Sequence, residues 1–544
     1  MKKHLIFLFI IIVLAFVLRI YNLTVTPPSP DWDEVSLGYN AFSILHTARD
    51  EYGRLLPLTL RSFNDYKPAL YTYLTIPSIA VFGLNLFAVR LPSVVLGVLT
   101  VLGVYFLSRE ILQRFANKYL ISIVPLLASF FLAISPWHLQ FSRAAFEANI
   151  SLLFIVWGMA FFICGLKKSR YLPLSSFTLG VSLYAYHSAR VFVPALIISL
   201  AFVFKNELLK FKKSFLISII IGFIVSLPVI LILVSPEGRQ RFSGVSVYSN
   251  QTKLLGESVR KLEQDRNSKD PLANLWHNRR IAYIDKFIEG YLTHFNPKWL
   301  FLTGDGIKRH HAPGMGMLYL FELPLVLIGL YIILRVKDKI KYLLLLWFLI
   351  AALPGSPTEQ VPNAPRSYYF LPTYQIFSAL GFYFLWSGYK NAFRGKIFLT
   401  IFLFFVFFNV FYYFQSYHLH LSKEYSQDWQ YGYEEAVTEA AKRESQYEKI
   451  VFSQALEQPY IFYLFYTKYD PQKYLSQGGS NNIDYQNWSR HQVGKYEFKK
   501  LNWLTEEKNK TLFIGRPDDF PVGVKAIKKI KNLDGTDAVL FVEG

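Results

Sequence analysis

Much of the chain is apolar on every side, without the alternation that marks a half-buried helix or strand. Runs such as 5-IFLFIIIVLAFVL-17 and 215-FLISIIIGFIVSLPVILILV-234 carry no charge. About 18 or more apolar residues cross the ~30 Å core of a bilayer as a helix. The pattern predicts spans near 5–20, 90–108, 119–135, 148–166, 171–186, 190–204, 214–235, 315–334, 342–353, 367–387 and 397–416, with 69–84 as a twelfth candidate. Basic residues then sort the links. Links 109–118, 167–170, 205–213, 335–341 and 388–396 carry three or four Lys or Arg each, whereas 136–147, 187–190 and 354–366 carry one arginine each. Base-rich links stay in the cytoplasm. The alternation closes only if 69–84 does not cross, so 21–89 reads as one outer loop with 69–84 at its surface. The expectation is about 11 spanning helices, an uncleaved first helix, a cytoplasmic N-terminus and an extracytoplasmic C-terminus in the plasma membrane.

Two further polar segments fall outside: a loop at 236–313 and a tail at 417–544. The tail alternates short β-rich runs (448–454, 511–516, 538–542) with helical patterns (431–445, 459–469), which predicts a small α/β domain. The predicted fold class is an all-α polytopic membrane domain over 1–416 with an extracytoplasmic α/β domain over 417–544.

Composition agrees: 52% of residues are hydrophobic and 17% aromatic, more than a soluble domain carries. The net charge of +20 invites a nucleic-acid reading, which its distribution removes. The tail holds 17 bases against 18 acids, so the excess lies in the short links between spans. No nucleic-acid partner is expected. Cys164 is the only cysteine, so no disulfide forms within the chain.

Candidate chemistry gathers on the outer side. Asp31, Asp33 and Glu34 follow the first span. A carboxylate there suits a general base on an acceptor hydroxyl or amine, and equally suits a helix N-cap. Lys67, after Tyr66, can hold a phosphate as a point charge or snorkel to the interface. Each short outer loop carries one base, and each is arginine: Arg143, Arg190 and Arg366; Arg90 opens a span on the same side. Arginine's planar fork suits phosphate; headgroup contact or pairing with Glu147 or Asp33 is the alternative. Glu147 follows Arg143 by four residues, the spacing of an ion pair on one helix face. Glu322 is an acid within a span. His310 and His311 adjoin, unlike the i, i+4 pairs that bind metal on a helix. No metal site and no cofactor are predicted, and a divalent metal has no support. There is no nucleotide-binding loop.

Taken in order, these residues resemble the GT-C class of polytopic glycosyltransferases, in the group of the protein O-mannosyltransferases and bacterial aminoarabinose transferases. The motifs are 33-DE-34 after the first helix, 67-KPAL-70 with Ala69 in place of a second proline, 90-RLPS-93, and 142-SRAAFE-147. Segments 304–323 and 364–368 also look like bacterial members, and the likeness covers about 1–390. It implies transfer of a sugar from a polyprenyl-phosphate donor to a protein, lipid or glycan acceptor. It implies Asp33 as base with Glu34 beside it, and Lys67 and Arg143 at the donor phosphate with Arg90, Arg190 and Arg366. Glu147, His138 and Tyr66 are taken as acceptor-side or supporting residues. The rivals are a lipid-linked oligosaccharide ligase or oligosaccharyltransferase, a lipid or solute transporter, and a receptor using 417–544.

Overall fold

The structure is a computed structural model that describes all residues except 1, 64, 250, 269–272, 390–392 and 484–490. The basic link 388–396 therefore falls partly outside the described residues. Every predicted span overlaps a helix, from Lys2–Ile20 through Leu86–Leu112, Lys118–Ile134, Glu147–Gly165 and Lys212–Val234 to Phe393–Gln415, while those expected at 315–334 and 367–387 become α-helical only from Glu322 and Thr373. Among the described residues four helices are long and apolar enough to cross a membrane, or five if the bent pair Lys118–Ile134 and Pro136–Arg143 is one span. The expected count of about 11 is not reached on that measure. Ala189–Val203 and Lys341–Ile350 have 15 and 10 residues. At 1.5 Å per residue they are about 22 and 15 Å long. The chain is nonetheless a multi-pass membrane protein: Lys205–Val234 and Phe393–Glu424 bury only 11% and 6% of their apolar windows inside the protein.

The chain divides into two compact units. One comprises Met1–Ala15, Gly97–Leu139 and Glu147–Phe411; the other comprises Phe16–Leu96, Gln140–Phe146 and Tyr412–Gly544. The first outer loop thus belongs to the same unit as the tail.

In that second unit, Trp32–Thr47 is a helix started by Asp31, whose extended backbone lets its side chain accept from Glu34 N at 2.9 Å. It ends where Ala48, at φ 56°, donates to Ile44 O. Leu37, Ala41, Ile44 and Leu45 follow one another at helical spacing; the first three are buried and Leu45 is exposed. The helix packs on Leu70–Phe82 and Pro459–Tyr466. A Cβ on Gly38 would lie 2.6 Å from Val89 and 2.8 Å from Phe465, so this approach needs glycine. Leu70–Phe82, at 13 residues, is about 20 Å long, too short for a bilayer core. Ahead of it Thr59–Ser62 pairs antiparallel with Asp65–Pro68, setting Lys67 opposite Leu60. That hairpin was not read from the sequence.

The tail carries a six-stranded mixed sheet in the order His491–Val493, Tyr496–Lys499, Lys449–Ser453, Thr511–Gly515, Asp537–Glu543, Ala526–Lys531. Lys449–Ser453 runs parallel to both of its neighbours. The expected runs at 448–454, 511–516 and 538–542 are three of its four inner strands, with helix Tyr433–Lys442 ahead of the first in sequence and Pro459–Tyr466 after it. His491–Val493 and Tyr496–Lys499 are short and Ala526–Lys531 is rich in lysine, which hid them.

Candidate active site

Asp33 and Glu34 occupy the first turn of the Trp32–Thr47 helix, with different surroundings. Asp33 keeps 42% of its side chain exposed and is ion-paired to Lys67 of the hairpin, whose side chain is 13% exposed. Glu34 is buried at 3%. Its Oε1 accepts from Arg90 Nε at 2.8 Å and Ala145 N at 2.9 Å, and its Oε2 from Arg90 Nη2 at 2.8 Å. Asp33 is therefore the carboxylate open to a substrate, and Glu34 is locked beside it.

Arg90 and Arg143 were expected at the donor phosphate, and the structure places their donors elsewhere. A guanidinium has five N–H groups. Those of Arg90 go to both oxygens of Glu34 and to Leu23 O, Pro27 O and Ser29 O. Those of Arg143 go to Tyr417 OH, Leu18 O, Arg19 O, Asn22 O and Thr26 O. Both residues are at most 1% exposed. They clamp segment 18–29, the last turn of the first helix and the turns that follow it, through its carbonyls. Tyr66 lies on the hairpin with Arg54 over its ring at 5.3 Å.

Residues of the tail reach the same place. Tyr417 accepts from Arg143 at 3.2 Å. The buried Trp429 ring lies 5.8 Å from the Arg90 guanidinium. Gln430 accepts from Trp32 N at 2.8 Å. Sequence reasoning missed all three; the only signal is the aromatic cluster at 425–433. It also missed Glu51, fully buried, which accepts from Asn40, Tyr460 and Ser480 at 3.0, 3.2 and 2.6 Å. Burial pushes its carboxyl up to about 7, with Asp50 adding to the rise, against these three hydrogen bonds.

Arg190, Arg366, Glu147 and His138 belong to the other unit. There a cavity of about 440 Å³ is lined by Met159, Leu179, Pro194, Ile197 and Phe215, among other apolar side chains, and by Arg190. A second cavity of about 250 Å³ shares Arg190 and Leu233 with it and adds Arg366 and His187. An apolar chamber thus borders one holding two arginines. The Arg366 turn is held by Asp305, which accepts from Ala364 N at 2.8 Å and bonds His310 Nδ1 at 2.7 Å. Burial alone raises the Asp305 carboxyl, but His310 and the backbone donors outweigh it and hold the group below the usual range. His311 bonds Asp305 O and Ala312 O. The adjoining histidines thus build this loop. His138 is buried and stacked on Tyr368 at 6.2 Å. Glu147 opens its own helix while Arg143 ends another, so the expected spacing on one helical face does not arise. Among the described residues no group of three His, Cys, Asp or Glu is placed to hold a metal ion.

Residues 66–232 match the family Dolichyl-phosphate-mannose-protein mannosyltransferase. No curated protein matches the chain in sequence. Among solved structures, the archaeal oligosaccharyltransferase AglB from Archaeoglobus fulgidus, in complex with an inhibitory peptide and a dolichol-phosphate, has a TM-score of 0.52 at 15% identity. The match covers 85% of this chain and 64% of that one, so this chain spans less than two thirds of that protein's length. ArnT from Cupriavidus metallidurans bound to undecaprenyl phosphate has a TM-score of 0.54 at 11% identity, covering 99% of this chain and 97% of that one. Residues 66–232 are thus similar to that mannosyltransferase family, and the chain has a fold like those of AglB and ArnT.

Proposed function

We propose that the chain transfers a sugar from a polyprenyl-phosphate donor to an acceptor on the extracytoplasmic face of the plasma membrane, inverting the anomeric centre. The observation that carries this reading is Asp33, a half-exposed carboxylate beside a locked Glu34 and ion-paired to Lys67. Asp33 takes the proton of the acceptor hydroxyl or amine as that atom attacks the anomeric carbon. The bond from that carbon to the donor phosphate oxygen breaks on the opposite face, and polyprenyl phosphate leaves with the electron pair. An ammonium carries three donors, so Lys67 can orient Asp33 and also stabilise charge on the leaving phosphate. Arg190 and Arg366 are further candidates for phosphate by the chemistry of the guanidinium fork. Arg90 and Arg143 are assigned to the clamp of segment 18–29 rather than to phosphate.

The test is reconstitution of the full chain with a panel of polyprenyl-phosphate monosaccharides and cell extract as acceptor source. Donor consumption by the wild type and at least a 1000-fold loss in a folded Asp33→Asn variant are expected. Equal turnover by both removes Asp33 from the mechanism, and a product of retained configuration rules out single displacement. The likeness to an oligosaccharyltransferase favours a second reading, with a lipid-linked oligosaccharide as donor and a peptide as acceptor. Turnover only in that arm selects it.

A further inference from the structure

The first turn of the Trp32–Thr47 helix is held from two directions. The N–H groups of a helix's first turn have no partner within the helix. Asp31 takes the one on Glu34 locally, at 2.9 Å. The one on Trp32 is taken by Gln430, nearly 400 residues on, at 2.8 Å. Asp33 lies between these two fixed amides. Gln430 is itself fixed: it is 2% exposed, its Nε2 donates to Glu457 O at 3.1 Å, and its own carbonyl accepts from Ser29 Oγ at 3.3 Å. Its backbone is left-handed, with φ 51°, a conformation that a glutamine holds only where its surroundings over-determine it. The preceding residue, Trp429, lies under Arg90, which grips Glu34 on the other side of Asp33.

We propose that Gln430 is a positioning residue for Asp33, tying the tail to the first turn of the helix that presents the base. This rests on the reading of Asp33 as general base. Its consequence is that the tail is part of the catalytic apparatus, because a base displaced by about 1 Å loses roughly a hundredfold in rate.

Two substitutions separate this role from bulk stability. Gln430→Asn keeps the amide and tolerates the left-handed backbone, but is one methylene too short to reach Trp32 N. Gln430→Glu keeps the length and the acceptor while losing the donor to Glu457 O. Gln430→Leu, which removes the acceptor at similar volume, is the second loss variant should Gln430→Asn not fold. In the full-length protein, hydrogen exchange reads the Trp32 amide directly, and turnover of whichever donor the wild type consumes reads the base. Expected are at least tenfold faster exchange at Trp32 and at least tenfold lower kcat in Gln430→Asn, with the donor KM within about twofold, and recovery of both in Gln430→Glu. Wild-type kcat in the loss variant, or a Gln430→Glu protein as impaired as it, overturns the proposal. If the wild type consumes no donor, the catalytic reading fails on its own, and the exchange arm still decides whether Gln430 fixes the helix start.

Discussion

Asp33 and Glu34 are adjacent acids of similar chemistry that the fold treats in opposite ways. One is open and paired to a lysine, and the other is enclosed by an arginine and a backbone amide. Neither fate is written in the dipeptide. The local capping chemistry, in contrast, is legible there, because an acid before a helix start meets an amide three residues on. Glu51 is the other acid whose state the fold decides. Folded, it holds its proton to about pH 7; unfolded, to about 4.5. Between these values the folded chain binds the extra proton, so stability falls as pH rises through this window and is level above it. The fall is about 3 kcal/mol. Glu51→Gln removes the titrating group, and thermal unfolding from pH 4.5 to 8 should show the variant losing this decline. Parallel wild-type and variant curves would remove Glu51 as its source.

At the scale of the element, the Trp32–Thr47 helix is the unit that matters. Its start is set by Asp31, its buried face by Leu37, Ala41 and Ile44, and its approach to Phe465 by Gly38. Asp31→Ala should cost about 1 kcal/mol and speed exchange at the Glu34 amide, with Asp31→Asn restoring both. Unchanged exchange in Asp31→Ala would show that the cap is dispensable there. The spacing of Leu37, Ala41, Ile44 and Leu45 makes this helix legible in the sequence, since a face of 3.6-residue period shows in any short window. The hairpin carrying Lys67 was not announced. Its strands have four residues each, with no alternation strong enough to stand out. The tail divided the same way: three of the four inner strands are apolar runs, while Ala526–Lys531 is rich in lysine and reads as a polar link.

At the scale of the whole molecule, orientation rests on the distribution of bases and has a direct check. Cys164 is the only cysteine, so Cys164→Ala gives a clean background. Val522 is fully exposed in the tail, and Lys168 lies in a base-rich link. A membrane-impermeant maleimide added to intact cells should label Val522→Cys, and should reach Lys168→Cys only after permeabilisation; the reverse pattern would invert the topology. The sequence alone determined the positions of the apolar helices, the neutral tail and three of the four inner strands. Hydropathy, charge bias and capping act within a turn or over about twenty consecutive residues, so they can be read locally. Only the tertiary structure decided that Arg90 and Arg143 spend their donors on carbonyls of 18–29, that Tyr417, Trp429 and Gln430 reach the first outer loop, and that Glu51 is sealed under Tyr460 and Ser480. A guanidinium or amide bonds whatever acceptor the fold brings within about 3 Å, and no local pattern records which distant carbonyl that is.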